Sequence, residues 1–253
     1  MIEQRASFRS NASMKHGPFL PVAGYSRVAM LVLGCAALSI VIGLVTLIGW
    51  AADVQWLADL FRTGIAMMPN AAVCAVSAGL ALVFLTLGRH NAAAIFGTVP
   101  GIVGIATLIQ HLSGITLGID MVPAYREWGE KGTLAPGRMG PPAAVCFSLL
   151  GVALVLITRS GLARQIAVAA GLVVIGISML SIVGYAFGAD SLYSLPHSTA
   201  IAIQTASALF ALGIGVVASV RECEPFRTLS ENSAAGVLVL VSGATVAYTQ
   251  GIP

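Results

Sequence analysis

The amino-acid sequence predicts an all-α bundle of transmembrane helices, and three observations lead to this prediction. Hydrophobic residues make up 57% of the 253 positions and charged residues only 9%, whereas a soluble domain carries about 25% charged residues. Mean hydropathy is +0.92. Uncharged apolar runs of about 18 residues or more recur along the chain, and each is long enough to cross a membrane as a helix. A soluble all-α protein is strongly disfavoured, because so few charges could not cover its surface.

We predict seven spans in one transmembrane domain, residues 28–253, which follows a basic cytoplasmic leader, residues 1–27. The first apolar run is 23 residues long. That length exceeds the apolar core of a secretory signal peptide, so the run is interpreted as a retained span. The predicted spans lie near residues 28–50, 68–87, 93–115, 139–158, 164–187, 199–220 and 233–250.

The distribution of basic residues predicts the orientation of these spans. Nine of the 13 lysine and arginine residues fall in segments on the same side as the N-terminus. Cytoplasmic loops carry an excess of lysine and arginine, so the N-terminus is placed in the cytoplasm. Seven spans then place the C-terminus outside.

Two of the predicted outer segments contain features of ordered structure. Residues 53–62 predict a short helix that lies in the lipid headgroup region. Its apolar face comprises Trp56, Leu57, Leu60 and Phe61. Its charged side chains, predicted to point away from that face, are Asp53, Asp59 and Arg62. The longest loop, residues 118–142, holds Tyr125 and Trp128, which suit a membrane–water interface.

A stretch of small residues occurs three times and predicts tandem two-helix repeats. "MPNAAVCAVSAGLALVF" at 68–84 aligns with "GPPAAVCFSLLGVALVL" at 140–156 and, less closely, with "IQTASALFALGIGVV" at 203–217. Gly79, Gly151 and Gly213 fall at the same place in the three copies. Small residues let helix backbones approach closely in lipid, so these stretches are interpreted as packing faces. Pro100-Gly101 is predicted to break the third span.

One motif resembles a known family. Residues 136–154 follow the pattern P-G-R-M-x-P-x-x-A-x-x-F-x-L-L-G-x-A-L, and "TLIQHLSGITLGID" at 107–120 and "GYAFGADSLY" at 184–193 fit the same family. This pattern resembles the multi-pass N-terminal membrane sensor region of bacterial histidine kinases and diguanylate cyclases. The resemblance implies a sensor or signal-input domain in the bacterial inner membrane, here without the output domain and without the eighth span that the family usually has. The sequence is therefore expected to be either a fragment or a stand-alone relative.

The motifs of common enzymes are missing from the sequence, so a non-catalytic role is expected. The chain has no Walker or other glycine-rich phosphate loop, no H-E-x-x-H and no serine nucleophile motif. The leading interpretation is a sensor module that acts through helix packing. The alternative is a structural accessory subunit of a larger membrane protein complex, which contacts a pigment or lipid. Expected partners are membrane lipids and other membrane protein subunits, and not nucleic acid.

The candidate site residues lie where the third and fourth predicted spans approach the outer face. They are His111, Gln110, Asp120 and Arg138. His111 is the one histidine inside a span, which suggests either an interface hydrogen bond or the sole ligand of a pigment. A haem with two histidine ligands is disfavoured, because His90 and His197 are placed elsewhere. The two carboxylates Asp120 and Asp190, with Arg138, would line a shallow outward pocket or remain solvated. The four scattered cysteines indicate neither zinc nor disulfides.

Overall fold

The computed structural model describes residues 27–120, 128, 137–159, 161–188, 194–195 and 199–220, and within these ranges the chain is an all-α bundle, as predicted. Two short strands of two residues each, β1 (Ser194–Leu195) and β2 (Thr199–Ala200), pair in antiparallel orientation. The helices are α1 (Arg27–Ala52), α2 (Gln55–Ala58), α3 (Pro69–Thr86), α4 (His90–Ser113), α5 (Pro141–Leu156), α6 (Leu162–Phe187) and α7 (Ile203–Ser219).

Each of the first six predicted spans coincides with one helix of the structure. Among the described residues, α1, α3, α4 and α6 are long and apolar enough to cross a membrane. The helices α5 and α7 are apolar but shorter, at 16 and 17 residues. The seventh predicted span, residues 233–250, lies outside the described residues.

The predicted break at Pro100-Gly101 is wrong, because α4 runs without interruption through both residues. A proline inside a helix removes one backbone hydrogen bond, which packing against neighbouring helices can offset in an apolar bundle. Here Pro100 and Gly101 are both buried, and Gly101 lies against Gly151 of α5.

The predicted headgroup helix at 53–62 is shorter than expected, because regular helix is confined to α2. Asp59 ends it by turning inward. Its carboxylate accepts hydrogen bonds from the backbone N–H groups of Thr63 at 3.0 Å and Gly64 at 2.7 Å. Asp59 is therefore a buried loop-forming residue, whereas the sequence predicted that it would point away from the apolar face of a helix.

Six helices form a closed ring in the order α1, α3, α4, α5, α6, α7 and back to α1. Three of them, α3, α5 and α7, also contact one another across the centre of the bundle. Most residues of these inner helices are buried. The ring therefore consists of an inner triangle and three outer helices that alternate with it.

The outer helices α1, α4 and α6 present large aliphatic side chains to the surroundings. Exposed examples include Ile48 on α1, Ile102 on α4 and Leu180 on α6. A monomeric soluble protein rarely exposes apolar patches of this extent. Together with the helix lengths, this surface indicates a membrane protein whose outer helices face hydrocarbon.

One glycine of each inner helix lies directly against the outer helix that precedes it. A Cβ placed on Gly79 would lie 2.9 Å from the carbonyl oxygen of Ala36 on α1. A Cβ on Gly213 would lie 3.1 Å from the carbonyl oxygen of Gly171 on α6. A Cβ on Gly151 would overlap the Cα and N of Gly101 on α4. These three glycines are the ones that the sequence aligns, although the tandem repeat itself stays a prediction.

We expect Gly151→Ala to destabilise the protein by about 1–3 kcal/mol, because the added methyl group forces α4 and α5 apart. Gly176 of α6 offers a matched control, since nothing lies within 4 Å of its Cβ position. Gly176→Ala should leave stability unchanged or raise it slightly, because alanine is the better helix former. Thermal unfolding in mild detergent measures both effects. Equal stability of the two variants would contradict the close contact between α4 and α5.

Candidate functional site: a buried polar cluster

The site begins where α4 ends and the chain reverses. Gly114 follows the last residue of α4 with a left-handed φ of 71°, and its N–H donates to the carbonyl oxygen of Gln110 at 3.0 Å. Glycine adopts this conformation without steric cost, so it is a common helix terminator. The chain then turns at Gly118 and brings Asp120 back over the end of α4.

A second glycine places the segment that leads into α5. Gly137 has φ of 71°, and a Cβ there would lie 2.6 Å from the carbonyl oxygen of Asp120. Any larger residue at position 137 would push this segment away from the segment that contains Asp120. Glycine therefore allows Arg138, the next residue, to approach the Asp120 carboxylate.

The Asp120 carboxylate is the centre of a hydrogen-bonded cluster. Its Oδ2 accepts from Arg138 Nε at 2.8 Å and from Gln110 Nε2 at 2.7 Å. Its Oδ1 accepts a longer bond from Asn70 Nδ2 at 3.5 Å. All four residues are at most 7% exposed. The cluster therefore connects the start of α3, the end of α4 and the approach to α5.

One charge balances the other in this cluster. Removing a carboxylate from water is expensive unless a cation and further hydrogen-bond donors replace the lost hydration. Arg138 supplies the cation, while the two amides supply donors. The ion pair is therefore neutral as a unit, but removing either partner would leave an unbalanced charge in a buried place.

The amide oxygen of Gln110 remains unpaired. Gln110 Oε1 is buried and has no hydrogen-bond partner within the described part of the chain, and the same holds for both amide atoms of Gln204 on α7. Buried polar atoms normally have a partner. The cluster thus offers one open acceptor, which a water molecule or another donor could satisfy.

His111 lies beside the cluster and makes a separate contact. Its Nε2 lies 3.0 Å from the carbonyl oxygen of Met139, so it donates a hydrogen bond there when the proton is on Nε2. This contact ties the end of α4 to the residue two positions before α5. Histidines at helix interfaces and histidines that ligate a metal both make such a contact through one ring nitrogen, so both interpretations of His111 stay predictions.

The structure thus brings Gln110, Asp120 and Arg138 together and places His111 next to them. Asp190 and His197 lie outside the described residues. His90 is the first residue of α4, at the opposite end from His111. No group of three or more metal-binding side chains occurs among the residues that the structure describes.

The sequence analysis missed Asn70 as a member of the cluster. Its Oδ1 accepts from the N–H of Ala71 at 2.8 Å, in keeping with a residue in the first turn of a helix. Its Nδ2 reaches Asp120, which lies 50 positions further along the chain. A polar residue at the start of an otherwise apolar packing stretch was the available signal, but nothing in one sequence pairs it with a distant carboxylate.

A small cavity lies nearby, where the first turns of α3, α5 and α7 converge. Its volume is about 20 Å³, and its lining is apolar apart from backbone and Thr205. A cavity of this size has room for one water molecule. It is too small for an organic ligand, so the polar cluster is the stronger candidate for a functional site.

We expect Asp120→Asn and Arg138→Gln each to lower the free energy of unfolding by about 3–5 kcal/mol, because each leaves a buried charge unpaired. The double variant removes both charges and keeps amide groups that hydrogen-bond. Its loss should be smaller than the sum of the single losses by about 1.5 kcal/mol or more. Denaturant unfolding in detergent provides the measurement. Arg89 is exposed, so Arg89→Gln serves as the control. Strictly additive losses would show that the charges of Asp120 and Arg138 do not interact.

Comparisons with known proteins found no match for this chain among protein-family models, curated proteins or solved structures. The resemblance to bacterial sensor regions therefore remains a prediction from the sequence, and functional inference depends on the buried polar cluster and the bundle around it.

Proposed function

We propose that this chain is a non-catalytic integral membrane module, a sensor or signal-input domain that responds to its stimulus by a change in helix packing. The bacterial inner membrane, with the N-terminus in the cytoplasm, is the proposed location. The observation that carries this proposal is the Asp120–Arg138 ion pair, which is buried at one end of an otherwise apolar bundle.

The position of the ion pair suits a switch. Asp120 follows α4 and Arg138 precedes α5, while Asn70 belongs to α3. Buried ion pairs add little net stability compared with apolar packing, but they can favour one arrangement over others. A stimulus that competes for either charge would therefore weaken the contact between the ends of these helices.

The helix interfaces suit small movements. Contacts between α4 and α5 depend on glycine backbones at Gly101 and Gly151, without large interlocking side chains at that point. A smooth interface of this kind permits a shift or rotation of about 1–2 Å, which is a common amplitude for helix movements in signalling proteins. Binding energy at the cluster would thus select between two packings of the same helices.

The exposed aliphatic faces support a second candidate, the structural accessory subunit. The outer helices α1, α4 and α6 each carry a face that could contact either lipid tails or the helices of another subunit. In that case the buried ion pair would serve only to fix the fold. A membrane protein that co-purifies in a fixed ratio under gentle extraction would favour this second function.

We expect the distance between the ends of α4 and α6 to change by about 2 Å or more when the ion pair is broken. Leu112→Cys and Phe187→Cys provide spin-label sites, because both side chains are strongly exposed. The background replaces the native cysteines with alanine: Cys35, Cys74, Cys146 and Cys223. Pulsed electron paramagnetic resonance in lipid nanodiscs measures the distance with and without Arg138→Gln.

The same labelled protein is then tested against candidate stimuli, which are pH, osmotic pressure and bilayer thickness. At least one should reproduce the change that Arg138→Gln causes, and Arg89→Gln should cause none. If the distance stays constant in the variant and under every stimulus, the cluster is not a switch and the sensor proposal fails.

A further inference from the structure

A surface pocket lies at the end of the bundle where α1 gives way to α2. Its volume is about 330 Å³, within the usual range for ligand pockets. Its lining combines an acidic, a basic, an amide and an aromatic side chain, and the residues are Asp53, Val54, Gln55, Trp56 and Arg62. The pocket is separate from the buried polar cluster, which shares none of these residues.

The backbone holds both charged residues of this pocket in an unusual conformation. Asp53 has φ of 58° and Arg62 has φ of 51°, and they are the non-glycine residues with positive φ in the described ranges. This region is uncommon for residues with a Cβ, although aspartate enters it more readily than arginine does, and such strain concentrates at functional sites. Because Asp53 and Arg62 line the same pocket, both of these unusual backbone conformations belong to it.

Specific contacts maintain each strained residue. The Asp53 carboxylate accepts a hydrogen bond from Trp128 Nε1 at 2.9 Å, and the Trp128 ring lies against Trp50 with centroids 4.6 Å apart. The N–H of Arg62 donates to the carbonyl oxygen of Asp59 at 3.1 Å. These contacts fix the Asp53 carboxylate and the Arg62 backbone, and both side chains line the same pocket.

Exposed apolar side chains line the pocket or lie next to its residues in the sequence. Trp56, Leu60 and Phe61 are each more than half exposed. Such exposure is unfavourable in water but favourable where headgroups meet acyl chains, and tryptophan is enriched there. A ligand of this pocket would thus have a charged part against Asp53 and Arg62 and an apolar part against these side chains.

We propose that this pocket binds the zwitterionic headgroup of a glycerophospholipid that carries a primary ammonium group. The phosphate pairs with the Arg62 guanidinium. The ammonium pairs with the Asp53 carboxylate and contacts the face of Trp56, where cation–π attraction adds to the charge pairing. A purely anionic headgroup satisfies Arg62 but meets repulsion from Asp53. This inference uses only the membrane location from the proposed function and not the signalling role.

The test uses the purified full chain in detergent and measures lipid binding by native mass spectrometry. The probes are phosphatidylethanolamine, phosphatidylglycerol and water-soluble glycerophosphoethanolamine. We expect phosphatidylethanolamine to bind more tightly than phosphatidylglycerol. Arg62→Gln should weaken both lipids roughly fivefold, because one basic residue near a headgroup contributes on the order of 1 kcal/mol. Arg89→Gln, exposed at the start of α4, should change neither.

Asp53→Asn distinguishes the contribution of the negative charge to lipid binding from the contribution of the positive charge. Asparagine tolerates positive φ and can still accept the Trp128 hydrogen bond, so the fold should persist. This variant should lose the preference for phosphatidylethanolamine, while its binding of phosphatidylglycerol stays equal or rises. Unchanged far-ultraviolet circular dichroism and melting temperature confirm folding of both variants.

Three results would overturn the proposal. The first is wild-type affinity for phosphatidylethanolamine in Arg62→Gln. The second is wild-type binding of phosphatidylglycerol that is as tight as the binding of phosphatidylethanolamine, or tighter. The third is displacement of bound lipid by an equal concentration of glycerophosphoethanolamine, which would make a free headgroup compound the ligand. None of these results depends on the spin-label distances, so failure here leaves the proposed signalling role to its own test.

Discussion

The contact between helix backbones at small residues is the constraint on which this structure depends. Lipid tails are as apolar as leucine, so burying one aliphatic side chain against another provides little driving force between helices in a membrane. Close packing has to supply the attraction instead, and it is strongest where backbones touch. Gly101 and Gly151 meet in this way between α4 and α5, and Gly79 and Gly213 lie against α1 and α6.

This constraint also explains how the residues are distributed between the inner and outer helices. The inner helices have neighbours on most sides, so small residues and large aliphatic residues alike are buried in them. The outer helices have one face toward the bundle and one toward hydrocarbon. They carry glycine on the first face, as at Gly43 and Gly104, and isoleucine or leucine on the second, as at Ile48 and Ile105.

Much of the helical framework could be predicted from the sequence, because a span needs only about 20 apolar residues in a row. The site was predictable in part. Gln110, Asp120 and Arg138 stood out as polar residues at the ends of apolar stretches, and the structure joins them. Their mutual hydrogen bonds depend on Gly114 and Gly137 with positive φ, and one sequence does not reveal such backbone angles.

Other features could not be predicted because they depend on contacts between distant parts of the chain. Asn70 joins the cluster across 50 positions, and Trp128 reaches Asp53 across 75. The burial of Asp59 depends on a turn that its own carboxylate forms with Thr63 and Gly64. The helix periodicity of residues 53–62 could not show that this turn would end α2 after four residues.

Two stretches of chain join the polar cluster to the surface pocket. One is residues 62–70, from Arg62 to Asn70, and the other is the connection between α4 and α5. Asp120 and Arg138 lie near its two ends, and Trp128 between them donates to Asp53 of the pocket. A ligand in the pocket and a change in the cluster therefore act on the same segment. Such a shared segment couples two sites only if the ligand binds one helix packing more tightly than the other, and the coupling is then equal in both directions. A lipid that held Asp53 in its strained conformation would favour the packing in which Trp128 is docked, and breaking the Asp120–Arg138 pair would in turn weaken lipid binding.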